Sequence, residues 1–440
     1  MKNIIKTLGI AALAAVIIFS MAACDDGGGS DGSGKTTYTV TFNSDGGSAV
    51  SAQRVDKGGK AAKPATDPTK AYGSNAVAGF YDGTPTSYTF IEWRKQGEST
   101  AFDFDTPINS NITLVAQWKA PVSIDLTSTA GDNIIEKAVA YIKDDDSGAA
   151  VYTLVLGENV DNVKRINHDK DGVTLTVTSV DTTERIISAT MFGDIFFVGK
   201  DGNTITQSSV KLVLDGNVTL KQMTGTTGNG ILVNVKGGNL ELKGSAKISD
   251  SSKVVGVMVD SGTFIMSGGT ISNNNGGGVR VVSNYATSAF TMSGGTISGN
   301  RTTGAGGGVN VAGGTFTMSG GTISGNTANG AGGVSVFDTN FTMTDGTISG
   351  NTATNESCGG VDYVESKPGS SFSKTGGTIY GPNEGANSNT GYSSTGVPGL
   401  GDAVRVATYN PDGGDAIPRY RSTTAGPEVN LSSTSDENWE

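Results

Sequence analysis

The chain has 440 residues, 66 of them glycine, a formal charge of −11 and a pI of about 4.7. A chain this acidic has no electrostatic footprint for nucleic acid and no surface attraction to an anionic membrane. The glycine has no collagen-type period, so it belongs to turns and coils, and the length allows two or three domains.

Residues 1–23 read as an export signal. Lys2 and Lys6 give a positive start, Leu8 to Phe19 an apolar run, and Ala22 and Ala23 are small residues at the cleavage point. The run is short for a membrane span. Cys24 follows at once and resembles the modified cysteine of bacterial lipoproteins, although Met21 stands where that family usually has Leu. The resemblance implies cleavage before Cys24 and lipidation of Cys24. Several acyl chains would then hold the chain stably on a membrane, at the outer membrane or cell surface. An ordinary signal peptide and an uncleaved anchor are the alternatives. Residues 24–35, rich in Asp, Gly and Ser, bury nothing and form a flexible tether.

Residues 36–119 form a small domain. Tyr38 to Phe42 and Asn111 to Trp118 alternate in polarity as strands do, and Asp45-Gly46-Gly47 is a turn. Val40, Phe42, Val50, Phe90, Trp93, Phe102, Phe104, Ile108, Leu114 and Trp118 supply a small core. The segments YTVTFNSDGGSAV (38–50), KPATDPT (63–69), YTFIEW (88–93), FDFDTPI (102–108) and ITLVAQW (112–118) resemble the internalin B-repeat, or Listeria–Bacteroides repeat, family. That resemblance implies a β-grasp-like module of extracellular bacterial proteins with no catalytic motif. Glu92 replaces the family's Gly, and residues from about Tyr72 to Ser87 look like an inserted loop.

Residues 120–149 are a linker and a helix. Asp132 is placed to cap a helix running to about Lys143, with Ile134, Ile135, Ala138, Val139 and Ile142 on one face. Such a helix suits the open end of a solenoid, whose bare strand edges need cover.

Residues 150–440 are repetitive. Phe264, Phe290, Phe316, Phe341 and Phe372 recur at steps of 26, 26, 25 and 31, and Ile271, Ile297, Ile323, Ile348 and Ile379 keep the same steps. Each copy has two strand-like runs split by a Gly-Gly pair or its equivalent, and a third run after a glycine cluster, such as Val309 to Val311. Period-two alternation puts Phe, Met, Ile and Val on one face and Thr, Ser and Asn on the other. Three short strands in about 25 residues make one coil of a parallel β-solenoid, which buries its apolar face only by stacking. Leu212 and Leu240 align with Phe264, so the solenoid starts before the clear copies, and Val404 to Val406 supplies a last coil before a capping tail. Asn274, Asn300, Asn326 and Asn351 each sit three residues after the repeat isoleucine, where stacked coils would join them in an amide ladder.

The pairing of Ile297-x-x-Asn300 with Gly306-Gly-Gly-Val309, and of Ile323-x-x-Asn326 with Ala331-Gly-Gly-Val334, resembles the repeats of the polymorphic outer membrane proteins. The fold class expected is mainly β: a β-grasp-like domain, then a right-handed parallel β-helix with an N-terminal capping helix. The sequence shows no sign of the membrane barrel of autotransported members.

Chemistry is sparse. His168 is the only histidine, and with Cys24 lipidated Cys358 has no disulfide partner. No spacing suggests a zinc site, a phosphate loop or a cofactor. Asn167 to Gly172 resembles the start of a calcium loop, but Thr178 stands where an EF-hand needs Glu, which favours a plain acidic turn. Sugar cleavage would need two carboxyls roughly 5–9.5 Å apart. In the clear coils Asp260, Asp338, Asp345, Asp362 and Glu365 are the acids expected to face outward, with Asp338 and Asp362 the pair to test and Tyr285 and Tyr363 the aromatics available for stacking. The expectation is a surface-displayed adhesion or interaction scaffold without catalysis. Its partners are a membrane through the lipid and a host or envelope protein or glycan. A glycan-degrading lyase or hydrolase and a structural envelope spacer are the alternatives.

Overall fold

The computed structural model describes residues 29–30, 35–71, 87–119, 122–126, 134–144, 150–189, 194–200, 208–222, 230–284, 286–366, 369–381, 385–392, 403–407, 418–421 and 429–430. Two compact units divide them. One holds the described residues of Met1–Pro68 and Phe90–Gln117, the other those of Thr69–Thr89 and Trp118–Glu440. Cys24, Asp132, Tyr285 and most of the expected insertion lie outside the described residues.

The N-terminal domain is a twisted sheet. Thr36–Asn43 runs parallel to Ile112–Lys119, with Val40 opposite Ile112 and Phe42 opposite Leu114, and antiparallel to Gln53–Asp56. Val40, Phe42, Trp93, Ile108 and Leu114 are buried, and Phe42 meets Trp93 edge-on at 5.0 Å. Val50, Phe90, Phe102, Phe104 and Trp118 are only half-buried, because a sheet this small has one covered face and a wide rim.

The second unit is a parallel β-solenoid. Its first strand, Val122–Leu126, lies in the stretch expected to be linker and pairs in parallel with Val151–Leu156. The helix Ile134–Asp144 buries Ile134, Ile135, Ala138, Val139 and Ile142, the five residues of its apolar stripe, in the core that the solenoid strands share. From there the coils stack in register. One column runs through Leu175, Leu212, Leu240, Phe264, Phe290, Phe316, Phe341 and Phe372. A second carries Ile248, Ile271, Ile297, Ile323, Ile348 and Ile379. A third carries Val257, Val279, Val309, Val334, Val361 and Val404. All are buried. The five phenylalanine rings stack face to face with centroids 4.7–4.9 Å apart, which is the strand spacing itself.

Glycine serves the corners. Gly295 ends the pair that separates Ala289–Met292 from Thr296–Ser298 at φ +82, a conformation L side chains resist. At Gly332 a Cβ would fall 2.4 Å from the amide nitrogen of Thr352 in the next coil, so the turn closes only without a side chain. Three strands per coil is the early pattern. Later coils add a strand in a further sheet, through Arg301–Thr302, Thr327–Ala328, Thr352–Glu356 and Thr390–Tyr392, while in two of them the first two runs join into one strand, Thr315–Ser324 and Asn340–Ser349. At the far end Pro418–Arg421 pairs antiparallel with Val404–Ala407, and Val429–Asn430 with Phe372–Lys374. Antiparallel pairing there covers edges that another parallel strand would otherwise extend.

Candidate interaction surface

Alternation along each strand turns the polar residues outward in rows. Thr270, Thr296, Thr322, Thr347 and Thr378 face one another across successive coils, and Ser272, Ser298 and Ser324 do the same two residues on, with Ser349 next in register but buried. Thr291, Thr317, Thr342 and Ser373 form a further row on the neighbouring strands. The threonines at the start of each second strand are half-exposed. Hydroxyls therefore repeat at roughly 4.8 Å along the axis, each both a donor and an acceptor.

Beneath the rows the asparagines are structural. Asn274, Asn300, Asn326 and Asn351 are fully buried. The Nδ2 of each donates to the Oδ1 of the next at 2.9–3.0 Å and to the isoleucine carbonyl of the preceding coil at 3.0–3.1 Å. The same Oδ1 accepts the backbone N–H of the asparagine before it. Every amide hydrogen bond is thus used. Asn389 continues the ladder beyond Asn351, and the sequence pattern missed it because the insertion after Ile379 breaks the three-residue offset.

The acids expected outside are each tied to partners within the fold. Asp362, expected outside and available, is buried on a covered strand. Its carboxylate is gripped by Arg405 Nε and Nη2, both at 2.7 Å, and accepts from Ser357 Oγ at 2.9 Å. Asp338 accepts from the backbone N and Oγ of Ser366, both at 2.6 Å, and it is Ser335, not Asp338, that lies opposite Asp362. Asp260 is buried against Asn284 and Ser261. Tyr363, expected outside for stacking, points into the core 6.0 Å from Phe372, because the strand parity that turns Asp362 outward turns Tyr363 in.

Other singled-out residues are similarly absorbed. His168 is buried with Nε2 3.2 Å from the carbonyl of Val173 and 3.1 Å from that of Lys211, and burial pushes its pKa below the usual imidazole value. Two carbonyl acceptors assign the proton to Nε2. Cys358 is fully buried with Sγ 2.7 Å from the carbonyl of Val361, and desolvation raises its thiol well above its ordinary range. In the calcium-like stretch Lys143 reaches Asp169 at 2.9 Å and Lys200 pairs with Asp171. Among the described residues no three His, Cys, Asp or Glu side chains converge as metal ligands would, and no helix is long and apolar enough to cross a membrane.

No curated protein and no solved structure matches the chain. Residues 38–117 do match a family model, that of the Listeria-Bacteroides repeat domain.

Proposed function

We propose that the chain is a lipid-anchored cell-envelope protein that holds a repeat scaffold at the cell surface. Lipid on Cys24 is the anchor, and the long side of the solenoid makes weak, repeated contacts with a glycan or protein. The observation that carries this reading is the in-register array of outward hydroxyls over at least four coils. Each contact is weak alone, but equal spacing lets one extended partner engage many at once, and linked contacts multiply affinity. Sugar cleavage is not proposed, since Asp338 and Asp362, the acids it would use, are held by Ser366 and Arg405.

The test is a screen of residues 36–440 against glycan and protein arrays, reading binding and chain cleavage together. Binding of extended partners without cleavage is expected. Cleavage that disappears in Asp338→Asn or Asp362→Asn would replace the scaffold with an enzyme. For the anchor, a radiolabelled fatty acid should be incorporated into the wild-type chain and not into Cys24→Ser.

A further inference from the structure

One outward row on the third column of strands reads Met258, Arg280, Asn310, Ser335 in successive coils. Arg280 is exposed, and its side chain has no hydrogen bond or ion pair among the described residues. Arg94, Arg165, Arg185 and Arg405 each reach a carboxylate, Arg54 reaches the Thr37 hydroxyl, and exposed Arg301 shares with Arg280 the lack of an acid. What sets Arg280 apart is its place beside a pocket, with uncharged row neighbours Met258 and Asn310.

Arg280 borders a pocket of about 210 Å³ that the glycine-rich turns leave against the strands, lined also by Asn310, Thr302, Ala305, Gly277 and Val279. Its polar groups are half-committed. Asn310 Nδ2 donates to the carbonyl of Ala305 at 2.9 Å, which leaves Oδ1 free to accept. Thr302 Oγ1 accepts from the Gly304 amide at 3.1 Å, which leaves its O–H free to donate. Half-exposed Val255 and Ala305 give it an apolar wall. The volume is below the roughly 300 Å³ where drug-sized pockets begin, so it suits one ring rather than a chain.

We propose that this pocket binds a carboxylate-bearing pyranose, one uronate-type residue of an acidic glycan. The planar guanidinium of Arg280 takes the carboxylate in two parallel hydrogen bonds. Asn310 and Thr302 take ring hydroxyls, and the C–H face of the sugar lies on the apolar wall. The proposal rests on the interaction-scaffold reading, and the two fail separately. Polymer binding that survives loss of Arg280 sinks the pocket alone. Monosaccharide binding at Arg280 with no extended partner in the screen sinks the scaffold alone.

The experiment is a ligand-observed NMR titration of the full chain in detergent with glucuronate, glucose and acetate. Glucuronate should bind at least about tenfold more tightly than either control, since each lacks one half of the recognition, and Arg280→Gln should weaken it about tenfold or more. Should R280Q melt earlier than wild type, Arg280→Lys decides instead: it keeps the charge, loses the fork, and should still bind several-fold more weakly. Undiminished glucuronate binding in the deciding variant overturns the proposal. Acetate binding as tightly as glucuronate overturns its sugar component.

Discussion

Asn389 lies 38 residues beyond Asn351, yet its Oδ1 accepts both the backbone N–H of Asn351, at 2.9 Å, and its Nδ2, at 3.0 Å. The two close the last rung of a buried ladder in which each side chain makes up to four hydrogen bonds. Asn326, in the interior, donates to Ile297 and Asn351 and accepts twice from Asn300. Asn326→Ala would orphan buried donors on one coil and acceptors on two, at about 1–3 kcal/mol for each group left unsatisfied. A loss of at least about 3 kcal/mol is expected in urea denaturation. Ser272→Ala, on the outward row, should stay within about 0.5 kcal/mol. Equal effects of the two would refute the ladder as a stabilising element.

The phenylalanine column makes a graded prediction. Phe316 is sandwiched between Phe290 and Phe341, both at 4.8 Å. Phe316→Ala should cost about 3–5 kcal/mol through lost transfer energy and a cavity. Phe316→Leu should cost clearly less, because Leu240 already occupies this column one coil before Phe264. Denaturation midpoints of the two variants give the order directly.

Among the described residues Arg405 and Asp362 make the most buried ion pair, with side chains 22% and 8% exposed. Arg405→Ala strands the Asp362 carboxylate, and breaking such a pair costs about 3 kcal/mol or more when the partner stays buried. The double variant Arg405→Ala with Asp362→Ala should recover much of that loss. Thermal melts of the three variants measure the coupling, and strict additivity would show that the pair is not coupled.

His168 ties stability to pH. Burial lowers its folded-state pKa below the unfolded value of about 6.5. The unfolded chain therefore binds the proton more readily than the folded one. Its effect is flat above pH 6.5, and stability falls as pH drops through 6.5 toward the lower folded value. The slope is at most about 1.4 kcal/mol per pH unit for one group. His168→Gln should flatten the decline between about pH 7 and 5, read from unfolding free energies at each pH. Since this is the only histidine, its imidazole proton resonance is unambiguous and should stay in the neutral position below pH 6.5 in the folded chain.

The recurrence of Phe264, Ile271 and Asn274 was enough to establish the stacked coils, because identical coils must superpose identical side chains. The helix Ile134–Asp144 and its buried stripe were legible for a similar reason: a helix that covers one surface shows one apolar face. The Listeria-Bacteroides segment carried enough fixed positions to be read from residues alone. What the sequence left open were the meetings between residues with no fixed offset. Val122–Leu126 carries too short a pattern to stand out from a linker and becomes a strand only because Val151–Leu156 offers it an edge. Asn389 joins the ladder only because the coil closes back after its insertion. Arg405 neutralises Asp362, and strand parity turns Tyr363 inward, so neither the acid nor the ring is what its letter suggested. Local sequence fixes which face a side chain takes once the strand exists. Which strand exists, and what arrives from another coil to cover it, is decided by packing across the stack.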